Sequence, residues 1–354
     1  MGDILVISFS DPYIGHYKIY TWNWQTGNRL HVISNWGSLY GLALLDHSYL
    51  VILVGFGSLR VQNPALRLYD IRYNAFQHSL VQTDPPAATM PFLQLNFPRL
   101  RKSISISSAP SSDNVLIWQD IIPGRSIQIG STAVSYSHIP ILGIQLTLLR
   151  HHANGDGGAT YFQCYYIFTC VDRLLRIARK RKSGESKVLD WSKWGVAGTR
   201  WFSGDYSESP ARRESFPHTG ITGYRYVRFS DGSDHEEHEN KDNIRDVCVL
   251  DFKPSHWEAD SNRTQVMTRE NQSLIRHGGW PSPESAHVYG VAKSPEGPPS
   301  IVVGSNTPTI LERKDGFAEP VESRLPYRIT NRVQPVPRTW RACCPGMIVR
   351  SGGT

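Results

Sequence analysis

Short runs of β-branched and aromatic residues recur along this chain, and each run is bounded by Gly, Pro, Asn, Asp or Ser. Apolar residues spaced three and four apart over several turns, the mark of an amphipathic helix, are scarce. This pattern predicts an all-β fold made of short strands. The clearest predicted strands lie at residues 4–9, 16–24, 49–54, 115–118, 161–170, 247–252 and 300–304.

Three strand-like segments that end in an aromatic residue followed by a polar one recur at nearly constant spacing. Their aromatic residues are Trp22, Tyr69 and Trp118, which lie 47 and 49 residues apart in turn. A period of about 40 to 50 residues built from short strands is typical of a β-propeller blade. We therefore expect an irregular or incomplete β-propeller-like fold of about six to seven four-stranded blades. The three repeated aromatic residues are expected to pack between blades.

Weaker copies of the repeat follow at larger and uneven intervals, at residues 174–177, 247–251 and 310–312. Insertions between strands would produce such intervals. The predicted organisation is one propeller-like domain over residues 1–328, with insertion loops near 179–187, 203–243 and 253–285. Residues 329–354, which are rich in Pro and Arg, are predicted to be a poorly ordered tail.

The net charge of +7 is unevenly distributed. Residues 173–187 carry seven basic side chains against one acidic one, and residues 231–246 carry seven acidic side chains against two basic ones. The basic run centres on Arg179, Lys180, Arg181 and Lys182, which is compatible with a nuclear-import or nucleic-acid patch. Because no aromatic residues are interleaved with it, we favour a solvated surface loop, and nucleic acid is not an expected partner.

Cysteine usage and hydropathy indicate the cellular compartment in which the chain is expected. Its five cysteines are odd in number and scattered, unlike a disulfide framework, which favours a reducing compartment. No apolar run reaches the roughly 20 residues that a membrane-spanning helix needs, so no membrane association is expected. The start of the chain has no basic lead of a secretory signal. The expected location is the cytoplasm or the nucleus.

No catalytic, cofactor-binding or metal-binding residues are predicted. His235 and His238 flank two glutamates, but zinc proteases need histidines four residues apart on a helix. His151 and His152 precede a Gly-rich segment typical of a solvated turn. Neither a phosphate-binding loop nor a serine-nucleophile elbow is present. Propeller enzymes gather their groups from separate blades, so the missing local motif only removes positive support for catalysis.

Four places in the chain resemble the C-terminal region of the F-box proteins of mushroom-forming (basidiomycete) fungi. They are Asp11-Pro12 with residues 17–27, residues 66–71, residues 198–201 with 249–252, and residues 325–328. The resemblance implies the substrate-recruiting part of a cullin-type ubiquitin ligase, built on a WD-like propeller. The chain starts within a strand-rich repeat without F-box helices, so binding of the ligase adaptor is expected only if an F-box lies upstream.

The function expected from the sequence is therefore a non-enzymatic protein-interaction module that binds a protein substrate of unknown identity. A propeller hydrolase or a carbohydrate-binding domain is the alternative. A nucleic-acid-associated protein that uses residues 173–187 is a third hypothesis.

Overall fold

A computed structural model describes residues 4–11, 15–56, 63–72, 90–106, 115–118, 126–129, 132–135, 140–151, 159–180, 186–204, 219–230, 244–253, 269–280 and 300–335. These residues form an all-β structure of several small sheets with three short helices. The all-β prediction is confirmed.

The strands follow the predicted apolar runs closely. Their bounds are β1 (Ile4–Asp11), β2 (His16–Asn23), β3 (Asn28–Trp36), β4 (Ser38–Leu44), β5 (Tyr49–Phe56), β6 (Asn63–Asp70), β7 (Leu93–Asn96), β8 (Ile104–Ile106), β9 (Val115–Trp118), β10 (Ser126–Ile129), β11 (Thr132–Ser135), β12 (Ile141–His151), β13 (Ala159–Cys170), β14 (Lys187–Leu189), β15 (Thr199–Gly204), β16 (Thr219–Thr222), β17 (Arg225–Ser230), β18 (Ile244–Asp251), β19 (Ser300–Val303), β20 (Thr309–Leu311), β21 (Val321–Ser323) and β22 (Tyr327–Pro335). The helices are α1 (Val171–Arg179), α2 (Trp191–Gly198) and α3 (Arg269–Arg276).

Four of the sheets account for most of these strands. Sheet A contains β1, β2 and β3, and sheet B runs in the order β14, β7, β6, β5, β4. Sheet C runs β15, β13, β12, β8, with β9 also paired to β12. Sheet D runs β16, β17, β18, β22, β19, and two separate hairpins join β10 to β11 and β20 to β21. All pairs are antiparallel except that of β14 with β7.

The four sheets stack face to face in the order A, B, C, D, and a hydrophobic core fills each of the three gaps. Strand β5 is apolar throughout because both of its faces are buried. Leu50, Ile52 and Val54 pack toward sheet A, whereas Val51 and Leu53 pack toward sheet C. Strands β12 and β13 likewise contribute to a core on each side of sheet C. A strand that is buried on both faces needs a continuous apolar run.

Helices α1 and α2 flank strand β14, where the chain leaves sheet C and joins sheet B. After β13 the chain forms α1, adds β14 in parallel beside β7, forms α2 and returns to sheet C as β15. The buried residues of α1 are Val171, Leu174, Leu175 and Ala178. Strand β14 ties the two sheets together through main-chain pairing as well as through the core.

Several predicted boundaries differ from the structure. Residues 174–177 belong to helix α1 and not to a strand, because Leu174, Leu175 and Ala178 share a helical face. The predicted loop at 203–243 contains the hairpin of β16 and β17, whose Ile221 and Tyr226 are buried. The predicted loop at 253–285 contains α3.

The first part of the predicted tail, residues 329–335, is a strand. Strand β22 continues to Pro335 and pairs with β18 from Arg328 to Pro335. Ile329 is buried in the core between sheets C and D, which holds the start of this segment in place. Residues 336–354 lie outside the described residues.

Within the part of the chain that the structure describes, the sheets do not close into a barrel or a ring. No helix among these residues is both long and apolar enough to cross a membrane.

Candidate functional site: the outer face of sheet A

Sheet A is apolar on both sides, although only one side is covered. Tyr17, Ile19 and Ile33 lie on its inner side and are fully buried against sheet B. Side chains alternate along a strand, so the intervening residues point the other way. We call that other side the outer face of sheet A, and it consists of Leu5, Ile7, Phe9, Asp11, His16, Lys18, Tyr20, Trp22, Arg29, Val32, Ser34 and Trp36.

The apolar residues of the outer face are unusually open to solvent. Leu5 is 45% exposed, Ile7 38%, Phe9 59% and Trp36 68%. Single exposed apolar residues are common on proteins, but a contiguous group of them marks an interaction surface.

Strand register places these side chains in rows across the sheet. Leu5 lies opposite Trp22, Ile7 opposite Tyr20, and Phe9 opposite Lys18. The rings of Tyr20 and Trp22 stack with centroids 5.4 Å apart, and the ring of Phe9 meets that of Tyr20 edge-on at 5.9 Å. Ring pairs of this kind hold large side chains in fixed positions. The face therefore presents an ordered apolar surface.

The charged side chains of the outer face are Lys18, Arg29 and, at its end, Asp11, which lies opposite His16. The Lys18 side chain is exposed between Phe9 and Ser34, and Arg29 lies opposite Trp22 in the register of β2 and β3. His16 and Ser34 are joined by a 2.9 Å hydrogen bond between Nε2 and Oγ. A surface of this composition favours a partner that combines apolar and acidic side chains.

Arg200 is the most deeply buried cation among the described residues, and its contacts are structural. Its Nε donates to the carbonyl of Leu325 at 2.7 Å, and Nη1 donates to the carbonyl of Thr307 at 2.9 Å and to Thr309 Oγ1 at 3.3 Å. The guanidinium also lies over the ring of Tyr327 at 5.1 Å. Burial lowers the pKa of Arg200 to about 10, so the guanidinium stays charged at neutral pH. It fastens β15 to the segments on either side of β20 and β21.

Two thiols and a second arginine meet between sheets C and D. The Arg228 guanidinium lies 4.8 Å above the ring of Trp280, and its positive charge acts on both Cys164 and Cys248. Burial nevertheless dominates and raises the pKa of each thiol to about 12. A thiol that stays protonated is neither a nucleophile nor a metal ligand at neutral pH.

We expect alkylation of Cys164 and Cys248 by iodoacetamide at pH 9 to be at least about tenfold slower in the folded protein than after unfolding in urea, because the thiolate fraction and the access are both low. Mass spectrometry of the two cysteine-containing peptides would measure both rates. Equal rates in the folded and the unfolded chain would contradict the buried position of these thiols.

Of the histidines considered for metal binding, the structure describes only His151. Within the described ranges, no group of three or more His, Cys, Asp and Glu side chains could hold a metal ion. His151 Nε2 lies 2.7 Å from Ser105 Oγ on a neighbouring strand of sheet C. His152, His235 and His238 lie outside the described residues.

The basic run is divided between a helix and a segment outside the described residues. Arg173, Arg176 and Arg179 lie on helix α1. Arg179 Nη2 forms an ion pair with Asp46 Oδ2 at 3.3 Å, across to sheet B. Arg181 and Lys182 lie outside the described residues.

Sequence reasoning assigned one of the outer-face residues to the interior. Tyr69 is fully buried in the core between sheets A and B, as predicted. Trp22 is instead half-buried on the outer face, stacked on Tyr20. The side chain of Trp118 lies outside the described residues. The signal available in the sequence was the apolar run at residues 4–7 with Phe9, since strand geometry places Leu5, Ile7 and Phe9 on one side.

Comparisons with known proteins add no further assignment. No protein-family model matches the chain, and a search of curated proteins finds no significant match.

Proposed function

We propose that this chain is a non-enzymatic protein-interaction module that binds its partner on the outer face of sheet A. The observation that carries the proposal is the exposure of Leu5, Ile7 and Phe9 beside the stacked pair of Tyr20 and Trp22. Large apolar and aromatic side chains in a fixed arrangement provide most of the binding energy at protein interfaces. The sheets stacked behind this face supply a rigid support.

The charges at the face favour an acidic partner. Lys18 and Arg29 lie on either side of the aromatic pair along β2 and β3. The whole chain also has a net charge of +7, which attracts negatively charged proteins over longer distances. The proposed ligand is a protein segment with large apolar side chains flanked by Asp or Glu.

Carbohydrate binding is the second candidate, and the ring geometry disfavours it. A sugar binds an aromatic side chain by laying its apolar C–H groups flat against an open ring face. The Tyr20 and Trp22 rings are inclined by only 21° and stack on one another, so each covers part of the other. One face of each ring is therefore covered, which reduces the flat aromatic surface that a sugar could use.

The proposal includes a propeller-like scaffold. Face-to-face stacking of sheets A to D, with a core in each gap, supports their role as successive blades. A role as the substrate-recognition part of an F-box subunit of a cullin-type ubiquitin ligase rests on the sequence resemblance. Adaptor binding belongs to the proposal only where an F-box accompanies this chain.

A library of short random peptides displayed on phage, selected against the purified chain, tests the proposed site. We expect the selected peptides to be rich in acidic and large apolar residues. For such a peptide, Phe9→Ala should raise the Kd at least about tenfold, equivalent to about 1.4 kcal/mol. Lys18→Ala should weaken binding less and reduce its salt dependence. Isothermal titration calorimetry would measure each Kd.

The matched control is Val188→Ala. Val188 is 58% exposed on β14, far along the chain from sheet A, and its truncation should leave the Kd unchanged. Peptides that bind the Phe9→Ala variant as tightly as the wild type would refute the site. If the wild type bound an oligosaccharide on an array and the Phe9→Ala variant did not, the ligand of the outer face would be a sugar and not a protein.

A further inference from the structure

One end of sheet B, beside helix α1, carries exposed cations from three elements of the fold. We call this surface the basic end, and it consists of Arg72, Arg176, Arg179, Lys180 and Lys187. Arg72 follows β6, Lys187 begins β14, Arg176 and Arg179 lie in the last turn of α1, and Lys180 follows that helix. The fold therefore brings Arg72 beside cations that are about a hundred residues away in sequence.

The turn that precedes β5 holds the centre of the basic end together. The Tyr49 N–H donates to Asp46 Oδ1 at 2.9 Å, and the Arg72 guanidinium lies 5.8 Å from the centre of the Tyr49 ring. Arg179 Nη2 donates to the other carboxylate oxygen of Asp46 at 3.3 Å. Arg72 and Arg179 thus both lie beside this one turn, although they come from different elements.

Strand β14 and the end of α1 extend the basic end beyond this turn. The Lys187 N–H donates to the carbonyl of Phe92 at 2.9 Å, and the Phe92 ring lies 5.5 Å from the ring of Tyr49. On α1, Arg176 and Lys180 are four residues apart, so their side chains lie on the same side of the helix. The five cations therefore form one continuous surface.

The carboxylates at the basic end lie deeper than the cations that they contact. The Arg72 and Arg179 side chains are each 60% exposed, whereas Asp70 is 22% and Asp46 only 3% exposed. Each carboxylate fixes one side of a guanidinium and leaves much of that group open to solvent. A ligand that approaches this surface therefore meets the guanidinium groups before the carboxylates.

The composition of the basic end favours phosphate groups over a protein ligand. The apolar residues Val171, Leu174, Leu175 and Ala178 of α1 are buried, so its exposed side offers charge without a large apolar anchor. Protein interfaces depend on such anchors, whereas contacts with phosphates supply nearly all of the affinity in non-specific nucleic-acid binding. Three of the five cations are arginines, whose guanidinium groups match the geometry of phosphate oxygens.

The same surface favours a double helix over a single strand. Single strands bind by stacking their bases on exposed aromatic rings, and none of the five residues of the basic end is aromatic. The ring of Tyr49 is buried. A double helix needs no such ring, because its phosphates line the outside and are accessible to cations directly.

We propose that the basic end binds the phosphate backbone of double-stranded nucleic acid, without reading its sequence. The basic run begins as a helix and not as the predicted solvated loop, so Arg176, Arg179 and Lys180 are held in order. Arg72 adds a cation from outside that run. This binding goes beyond the proposed function, because the basic end and the outer face of sheet A share no residue.

Fluorescence anisotropy with labelled DNA and RNA duplexes of about 20 base pairs tests the proposal, and binding of either duplex supports it. At about 50 mM NaCl we expect a micromolar Kd that is the same for unrelated sequences. Four or five phosphate contacts predict that log Kd rises with log salt concentration with a slope of about 3 to 5. The double variant Arg176→Gln/Lys180→Gln should raise the Kd at least about tenfold and lower this slope by about 2.

The matched control is the double variant Arg101→Gln/Lys102→Gln, which lowers the net charge by the same amount. Both side chains are exposed and precede β8, which pairs with the end of β12 that is remote from α1. Because salt screens charges at that distance, this variant should change the Kd by less than about threefold.

A further variant tests the surface without altering α1. Cations in the last turn also stabilise a helix, so circular dichroism must show that the Arg176→Gln/Lys180→Gln variant is folded. Lys187→Gln, on β14, removes one phosphate contact and should lower the salt slope by about 1. Failure of either duplex to bind the wild type, or equal weakening by the two double variants, would overturn the proposal.

Two other ligands complete the experiment. Tighter binding of a single strand of the same length would show that bases are contacted, and tighter binding of polyglutamate would make an acidic protein the ligand. Either result would also overturn the proposal. The peptides selected on the outer face should bind the Arg176→Gln/Lys180→Gln variant as tightly as the wild type, so the two proposals can fail separately.

Discussion

Replacing Trp201 with alanine is expected to lower the free energy of unfolding by about 3 to 5 kcal/mol. The Trp201 side chain is fully buried on β15, at the junction of sheet C with helix α2 and the hairpin of β20 and β21. Its ring meets the rings of Tyr165 at 5.6 Å, Phe317 at 5.4 Å, Trp191 at 5.5 Å and Phe97 at 6.2 Å. Alanine would leave a cavity that these rings, held by separate elements, cannot fill.

The indole N–H of Trp201 has no hydrogen-bond partner among the described residues, and the contacts of the side chain there are packing contacts. Urea unfolding followed by far-UV circular dichroism would measure the loss. Trp36→Ala is the matched control, because the same side chain is 68% exposed on sheet A. Its effect should stay within about 0.5 kcal/mol. Similar losses in the two variants would contradict the core between sheets B and C.

The strands could be predicted because burial on both faces leaves a strong sequence pattern. Strand β9 has the predicted bounds of residues 115–118, and β5 and β13 differ from their predictions by about two residues at an end. Each of these strands is a dense run of β-branched and aromatic residues. The stacking of sheets follows from the same pattern, since a sheet with two apolar faces needs a neighbour on each side.

The helices were missed for identifiable reasons. Charged residues obscure the apolar face of α1, where Arg173, Arg176 and Arg179 alternate with the buried leucines. Helix α2 contains Gly195 and Gly198, which normally disfavour a helix. At Gly195 an added Cβ would lie 2.2 Å from the Trp191 ring. The glycine therefore permits the aromatic cluster around α2, at a cost in helix propensity that tertiary packing offsets.

The outer face of sheet A could be predicted only in part. The apolar run at residues 4–7 with Phe9 indicates a strand, and strand geometry shows which of its residues share a side. It cannot show which side meets sheet B, because Tyr17 and Ile19 on the neighbouring strand are as apolar as Tyr20 and Trp22. That choice depends on contacts with β5 and β6, which follow the turn after β4 and are distant in sequence.

The second large effect is expected at Arg200, where Arg200→Met should lower the free energy of unfolding by about 2 to 4 kcal/mol. Hydrogen bonds from a charged donor contribute about 1.5 to 3 kcal/mol each, and the change removes the Arg200 donor from the buried carbonyl of Leu325 and the partly buried carbonyl of Thr307. Relief of the buried charge offsets part of this loss, since desolvating one ion costs several kcal/mol. Methionine preserves most of the volume, so cavity formation contributes little.

A lysine at the same position separates the geometry of the side chain from its charge. Arg200→Lys keeps the buried cation but cannot donate to Leu325 and Thr307 from two fixed directions. We therefore expect it to destabilise the fold at least as much as Arg200→Met in the same urea experiment. Arg72→Met is the control, because Arg72 pairs with Asp70 in an exposed position and such pairs contribute about 0 to 1 kcal/mol. Near-wild-type stability of Arg200→Lys would show that charge alone is needed, and that the two-directional contact does not fasten β15 to its neighbours.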